Sequence, residues 1–585
     1  MLEGEFDFAG QLLNYRKEEC RFKFSKKFNL WGNFGLLKAN KPNSLYSDHE
    51  YIIALRSLGT SAIEVFNLVK RYGVEDALRR IETNCSVVVV DRKREVLIMY
   101  RGPLGRYPLY WCQDNDDLQW STSLFSLIKN SSKLNPLYFH MYFVGAGFTD
   151  MWSDTAVKGI YRVPRGRAII FRSNKFENLF IDYLQPCSGM GRLQEEEIYC
   201  MYVKLLTESL KRCRGKSALF QVSSGLDSTA LVLANSLAEH TGDTSATYVW
   251  DVFTDLDERK GAENVANKAG IPWIPITADK FIPMSHINDI PVEHLTDEPS
   301  PDLCFYPWRI PMFELAAELG HSNIISGYGG DDLFLGNQCI LADLIREGHF
   351  KDAWKQALDF ASNHKDAGLR AFWFIKSYGI YPLLKIRQKS PLFGLWDPSI
   401  HDRFFVPSFL SDHRLGNELK IEMEREISLI KMSSVYTTRL TRNMSTVFNT
   451  FQVVDAIGRN FDIEENYPYL ERKVVEFVLG LPSRYIIHGR DKKILNKKVF
   501  GPHMPSDFKA TQGNFYRLTF YALNTYWNDI YNMVIESPLC DGIISKEKTI
   551  DFLQQWRVGK EVDSTLTLNA LVGVCLWIKK LGLSF

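Results

Sequence analysis

An excess of charge is the first thing this 585-residue chain lacks: 70 Lys and Arg stand against 69 Asp and Glu, a formal net charge of +1. That balance gives no reason to expect nucleic acid or an anionic membrane as the main partner. Ten cysteines are scattered without a CxxC pair or a Cys/His cluster at metal-ligand spacing, so neither a zinc site nor a disulfide framework is suggested. No apolar run approaches the length that spans a bilayer. The opening "MLEGEFDFAG" is acidic where a secretory signal is basic. The chain therefore reads as soluble and cytoplasmic, without a membrane span. Internal repeats and low-complexity tracts are also missing. A basic run such as "RDKKILNKK" near 490 reads as a solvated helix face.

What is present is core-forming material, 45% hydrophobic with 13% aromatic residues, in a chain too long for one typical core. From about 20 to 185, short β-branched or aromatic runs such as "CSVVVVD", "EVLIMYRG" and "RAIIFRS" are separated by Gly, Pro, Asn and Asp. They predict an all-β or layered α/β/α domain within 1–190. A polar stretch, Gln185 to Glu197, reads as a linker into a second domain, 197–585. There "SALFQV", "ATYVWDVF" and "IPWIPIT" read as strands alternating with helices, which predicts a parallel doubly wound α/β sheet. Beyond about 340 the pattern is mostly helical.

Ligands of such sheets bind beyond the carboxyl ends of the strands, where "SSGLDS" lies. Its turn leaves backbone N–H groups pointing one way, at the positive end of the next helix. Ser223, Ser224, Gly225, Leu226, Asp227 and Ser228 are thus candidates for holding phosphates. Asp227 is unsuited to touching phosphate and suits a magnesium ion that bridges phosphates. The plainer reading is a helix start capped by Ser and Asp. A second strand runs into "SGYGGDDLFLGN", where Gly327, Gly329 and Gly330 permit close backbone approach. Asp331 offers a second carboxylate to the same metal if the two strand ends are neighbours.

On these residues the chain resembles a known family. "SSGLDS" is similar to the SGGxDS pyrophosphatase loop of ATP-dependent amide-forming enzymes, and "SGYGGDDLFLGN" to the SGxGxDExFxGY segment of asparagine synthetases. "RGPLGRYPLYW" and "VKGIYRVPRGRAIIF" resemble stretches of their glutaminase domain, and "FDIEENYPYLERKVVEFVLGLP" resembles their GxExRxPFLD segment. The resemblance implies a glutaminase-like αββα domain of the Ntn type, then an ATP-pyrophosphatase synthetase domain with a helical extension, using ATP and Mg2+. Family members that use glutamine carry a nucleophilic cysteine directly after the initiator methionine. Leu2 stands there in this chain, and the nearest cysteine is Cys20.

Two branches of the family lost that cysteine: β-lactam and carbapenam synthetases, and lasso-peptide cyclases of the microcin type. The segment "HLTDEPSPDLCFYPWRIPMFELAAELG", the Lys-led "DFKATQGNFYRLTFYAL" and the helical tail resemble the peptide branch. The resemblance then implies a macrolactam-forming ligase that adenylates an Asp or Glu side chain of a core peptide and joins it to the N-terminal amine. A leader-binding protein and a leader peptidase are its expected partners. The alternatives are a small-molecule amide or β-lactam synthetase, an asparagine synthetase-like enzyme, or an inactive scaffold, the last suggested by Ser224 where the family has glycine. By the same resemblance Lys509 stabilises the anionic intermediates, Glu464 acts as a base with Tyr436 a candidate partner, and Tyr248 borders adenine. Glu258 stands where an acid follows the second strand, with a helix-cap role as its alternative. Asn466 replaces the family arginine, removing a charge expected near the acceptor pocket, and Glu471 replaces an aspartate, keeping the charge.

Overall fold

In a computed structural model the described residues are 2–5, 18–28, 32–39, 44–114, 117–144, 149, 152–172, 175–238, 241–384, 405–410, 434–444, 451–506, 508, 516–560 and 565–585, the first three ranges by their backbone. Twelve strands lie in the amino-terminal half: β1 (Leu2–Glu5), β2 (Glu18–Phe28), β3 (Gly32–Ala39), β4 (Leu45–Ser47), β5 (Tyr51–Ser57), β6 (Cys85–Asp91), β7 (Val96–Arg101), β8 (Tyr110–Asp114), β9 (Asp117–Ser121), β10 (Ile160–Arg162), β11 (Arg167–Arg172) and β12 (Lys175–Phe180). They form two six-stranded sheets, ordered β10-β8-β9-β1-β3-β2 and β12-β11-β7-β6-β5-β4.

Side-chain alternation fixes how the sheets stack. In β5, Ile52 and Ala54 join Val88, Val90, Trp111 and Trp120 in a core shared by both sheets. Ile53 and Leu55 face the other way, onto α1 (Ala62–Tyr72) and α2 (Val74–Arg79). On the far side, Tyr110 and Cys112 join Tyr138, Phe139 and Tyr142 of α3 (Pro136–Val144). The expected αββα layering is what forms. Helix α1 starts where Ser61 and Glu64 make a reciprocal capping box.

The stretch read as a linker is pinned: the Cys187 N–H donates to the carbonyl of Glu476 at 2.9 Å. A helix then begins at Glu195, α4 (Glu195–Arg214). The second domain has five parallel strands, β13 (Leu219–Gln221), β14 (Thr244–Val249), β15 (Trp273–Thr277), β16 (Asn323–Ile325) and β17 (Glu464–Asn466), in the order β15-β14-β13-β16-β17. Helices α5 (Leu226–Leu237), α6 (Arg259–Ala269) and α7 (Tyr306–Glu318) make the crossovers, as the alternating pattern predicts. Charged pairs tie the domains together. Arg162 and Glu298 meet at 2.7 Å with side chains 1% and 0% exposed, Arg472 meets Asp182 at 2.7 Å, and Arg106 donates to Asp455 at 2.8 Å. Among the described residues no helix is long and apolar enough to cross a membrane.

Candidate active site

The chain leaves β13 through Ser223 and enters α5 at Leu226, with Gly225 as the helix-capping residue. The first N–H groups of a helix have no carbonyl behind them to bond, so those of Leu226, Asp227 and Ser228 open at the carboxyl edge of the sheet. Hydroxyls shape this turn: Ser223 and Ser228 meet at 2.7 Å, and the Gly225 N–H donates to Ser223 Oγ at 3.0 Å. Ser224 has no left-handed backbone and is buried, 3% exposed. Its Cβ lies 2.6 Å from where a Cβ on Gly261 would stand, so helix α6 offers a glycine face to the serine.

Because β13 and β16 are neighbours, the second glycine-rich turn presses on the first. A Cβ on Gly327 would stand 2.8 Å from Ser228 N, and one on Gly330 would stand 2.4 Å from Asp227 Cγ. Only glycine permits that approach. Gly329, left-handed with φ +85°, turns the chain here against Leu470. Asp227 and Asp331 are thus brought together, and Lys493 lies between them, its Nζ 2.7 Å from Asp227 Oδ2 and 2.6 Å from Asp331 Oδ1. Asn496 donates to Asp227 Oδ1 at 3.2 Å. Burial pushes the Asp227 carboxyl up against the pull of Lys493. Burial also opposes the lysine's charge, but the two carboxylates outweigh it and hold the ammonium above the ordinary lysine range.

The Lys493 ammonium fills the position between the two carboxylates; the pair has the oxygen donors a magnesium ion takes, one or two protein carboxylates with water and phosphate oxygens completing its shell, and such an ion would take that position with the lysine moved aside. No group of three or more His, Cys, Asp or Glu suited to a metal occurs among the described residues.

Lys493 was missed because "RDKKILNKK" reads as a solvated face. Its side chain is 19% exposed, and its backbone is left-handed at φ 58°, unusual for a side chain of this size. That strain at the head of the helix Ile494–Phe500 is what aims it inward, and composition carries no trace of it.

Other expected residues are scattered. Tyr248 stands at the carboxyl end of β14, its ring 5.2 Å from that of Trp308. Glu258 occupies the capping position of α6 without a side-chain cap bond. Glu464 lies at the amino end of β17, in register with Asn323, and accepts from the Tyr107 hydroxyl of the first domain at 3.2 Å. Tyr436 belongs to another helix, Val435–Met444, its N–H donating to Asp343 Oδ2 at 3.0 Å, and its hydroxyl finds no partner among the described residues. Glu464 and Tyr436 are therefore not brought together. Lys509 lies outside the described residues. Asn466 is buried and donates to the Cys213 carbonyl at 2.9 Å and to Asn323 Oδ1 at 3.0 Å; its place is a structural one. Glu471, 3% exposed, faces Arg212 at 3.6 Å, and burial pushes its carboxyl up to about 7.

Comparison with known proteins adds the family. The glutamine amidotransferase domain pattern matches residues 54–183, and the asparagine synthase pattern matches 204–512. Amidase chyE of Penicillium rubens is 26% identical over 327 residues, 51% of this chain and 47% of its own; the chain spans about half the length of the curated relative it matches. Among solved structures, the U34-tRNA thiolase NcsA from Methanococcus maripaludis is 13% identical, covering 30% of this chain and 64% of that one, with a TM-score of 0.17. Glutamine phosphoribosylpyrophosphate amidotransferase from B. subtilis is 11% identical, covering 51% and 68%, with a TM-score of 0.19. Likenesses of that depth carry no argument about the site. The asparagine synthase pattern extends over more than half of the chain and contains both loops and Lys493: this protein belongs to the asparagine synthase family.

Proposed function

We propose that the protein is an ATP-dependent, AMP-forming amide ligase that closes a macrolactam in a lasso-type core peptide. The observation that carries the ligase reading is the meeting of two glycine turns at one sheet edge, with Asp227 and Asp331 on a single cation position. Magnesium, when bound, supplies the positive charge that neutralises the nucleotide phosphates. The N–H groups of Leu226, Asp227 and Ser228 hold the departing pyrophosphate, and Ser223 and Ser228 add hydroxyl donors. Ser224 contributes its backbone, its side chain being packed against α6. Gly327 and Gly329 shape the wall opposite, and Tyr248 borders the adenine. Lys509, by the family resemblance, offers its cation to the tetrahedral intermediate.

The macrolactam reading is supported by Leu2, which stands where glutamine-using members carry their cysteine, and by Cys85 and Cys112 within the two sheets, which are buried, while the exposed Cys187 lies in the segment that joins the domains. Burial pushes the Cys85 thiol up to about 12, far from the reactive thiolate range. An amine supplied by the substrate itself then replaces ammonia. The proposed setting is cytoplasmic, with a leader-binding protein and leader peptidase delivering the peptide. Incubation with ATP, Mg2+, leader-cleaved core peptide and the peptidase is expected to yield a product lighter by one water. Recovery of linear peptide alone would overturn the peptide reading. A second reading, amide chemistry on a small molecule, draws on the relative named an amidase. Pyrophosphate release stimulated by an amino-acid derivative without peptide would favour it.

A further inference from the structure

Among the described residues 18 large apolar side chains are exposed, and 8 of them fall between Phe350 and Leu384. Scattered exposed apolar residues are ordinary, whereas a concentration on one surface marks a face that something covers. Two helices carry it, Phe350–Ala361 and Ala367–Phe374, the second running on through a π-helical turn, Ile375–Ile380. In the first helix Ala353, Ala357 and Ala361 are buried, while Phe350, Trp354 and Leu358, spaced by four and therefore on one stripe, are exposed. In the second, Ala371, Phe374 and Gly379 are buried, and Leu369, Phe372 and Trp373 stand outside, the stripe continuing through Ile380 to Leu384. A helix that only covers a core turns its bulky apolar groups inward. Here most of the inward positions are small and the bulky ones face water.

The first helix and the continuation of the second both pack on the helix Ile340–Arg346, and the two pack on each other. Gly379 approaches that base so closely that a Cβ on it would stand 2.6 Å from Ile345 Cδ1. The exposed stripes thus point the same way, away from the base. Their side chains are held in place: the Trp373 ring lies 5.7 Å from that of Tyr378, and the Arg370 guanidinium covers it at 4.3 Å. The eight residues are 36% to 80% exposed, and at about 200 Å² for a whole side chain they present on the order of 800 Å². That exceeds the largest apolar patch of an ordinary monomer, about 300–600 Å², and matches the roughly 800 Å² that each partner gives to a standard interface. Charge points to the occupant. The first helix exposes Asp352 and Asp359 beside Lys351 and Lys355, whereas from Ala367 to Leu384 the charged residues are Arg370 and Lys376 alone. A face with its carboxylates on one helix and only cations on the other complements itself across a two-fold axis. An anionic lipid surface would meet the two carboxylates as repulsion.

We propose that a second copy of the chain docks on this face. In the pairing, the helix Ala367–Phe374 and its continuation from one copy lie across the helix Phe350–Ala361 of the other, related by a two-fold axis. The pairing does not depend on the chemistry at the nucleotide turns.

Sedimentation velocity of the full chain tests it. Standard-size interfaces hold with dissociation constants from micromolar to picomolar, so the wild type is expected to be dimeric at about 100 μM. Leu369→Glu and Phe372→Glu, at exposed positions, are expected to weaken the dimer by about thirtyfold or more, the scale of one interface hot spot. Ile63→Glu, an exposed apolar position on α1 outside the face, is expected to leave it unchanged. A measurement without variants accompanies these: hydroxyl-radical footprinting of the wild type, dilute and concentrated, in which oxidation of Trp354, Phe372 and Trp373 is expected to fall severalfold on concentration. A wild type that stays monomeric at the upper concentration overturns the pairing, and flotation of that monomer with phosphatidylserine vesicles would give the face to a membrane instead. A dimer that survives both glutamate variants, or that leaves the three aromatic side chains as reactive as in the dilute protein, overturns it as well.

Discussion

Ser224 fills the space that Gly261 leaves open, and this pairing explains how a serine stands where the family has glycine. With the two positions 2.6 Å apart as Cβ atoms, Gly261→Ala is expected to cost about 1–3 kcal/mol through overpacking. Ser224→Gly in the same chain is expected to recover most of that loss. Denaturant unfolding of the two single variants and the double checks it; additive effects would show that the residues do not touch. Glu471 makes a second test. Its carboxyl stands at about 7 against 4.5 for the ordinary group, so the folded chain binds this proton more tightly than the unfolded one. Stability from this group is therefore lost as pH rises from about 4.5 to about 7. Glu471→Gln is expected to melt progressively higher than the wild type across that window, with the gap closing toward its acidic end. A gap that does not change with pH would exclude Glu471 as the source.

Among the elements, the two strand-to-helix turns were legible because each sets a short apolar run, a glycine-rich turn and an aspartate within a few residues of one another, and the parallel order follows from alternation. The face of β17 was not. A one-residue shift moves a strand side chain to the other side of the sheet, and Glu464 and Glu465 are identical letters with opposite surroundings. Glu464→Gln is expected to cost no more than about 1 kcal/mol, the worth of its bond from Tyr107, and to leave the rate of amide formation at the wild-type level. A collapse of amide formation with ATP–pyrophosphate exchange intact would identify Glu464 as the base for the amine. Lys493 was hidden for another reason: 266 residues separate it from Asp227, and only the fold of the helix Ile494–Phe500 brings them together. The contact between the two turns carries its own expectation. Gly330→Ala places a methyl on the Asp227 carboxyl, and a displacement of that size is expected to lower exchange by about 100-fold, read in a radiolabelled exchange assay.

For the molecule as a whole, the domain boundary is where charge is most deeply buried. Arg162→Met strands Glu298, whose side chain is 0% exposed, and is expected to cost about 3–5 kcal/mol, whereas adding Glu298→Leu is expected to return much of it. Equilibrium unfolding in denaturant distinguishes the two outcomes. Sequence texture changes near 190 but carries no sign of this seam, since each half of a pair such as Arg162 and Glu298, or Arg472 and Asp182, looks like an ordinary surface charge until its partner is known. The pinned segment around Cys187 has a consequence for how the protein is handled. Made separately, each half would present stranded charges and bare apolar walls to water, and would go to inclusion bodies. Made together from two genes cut between Ser188 and Arg192, the halves are expected to find one another and purify as a single nicked particle.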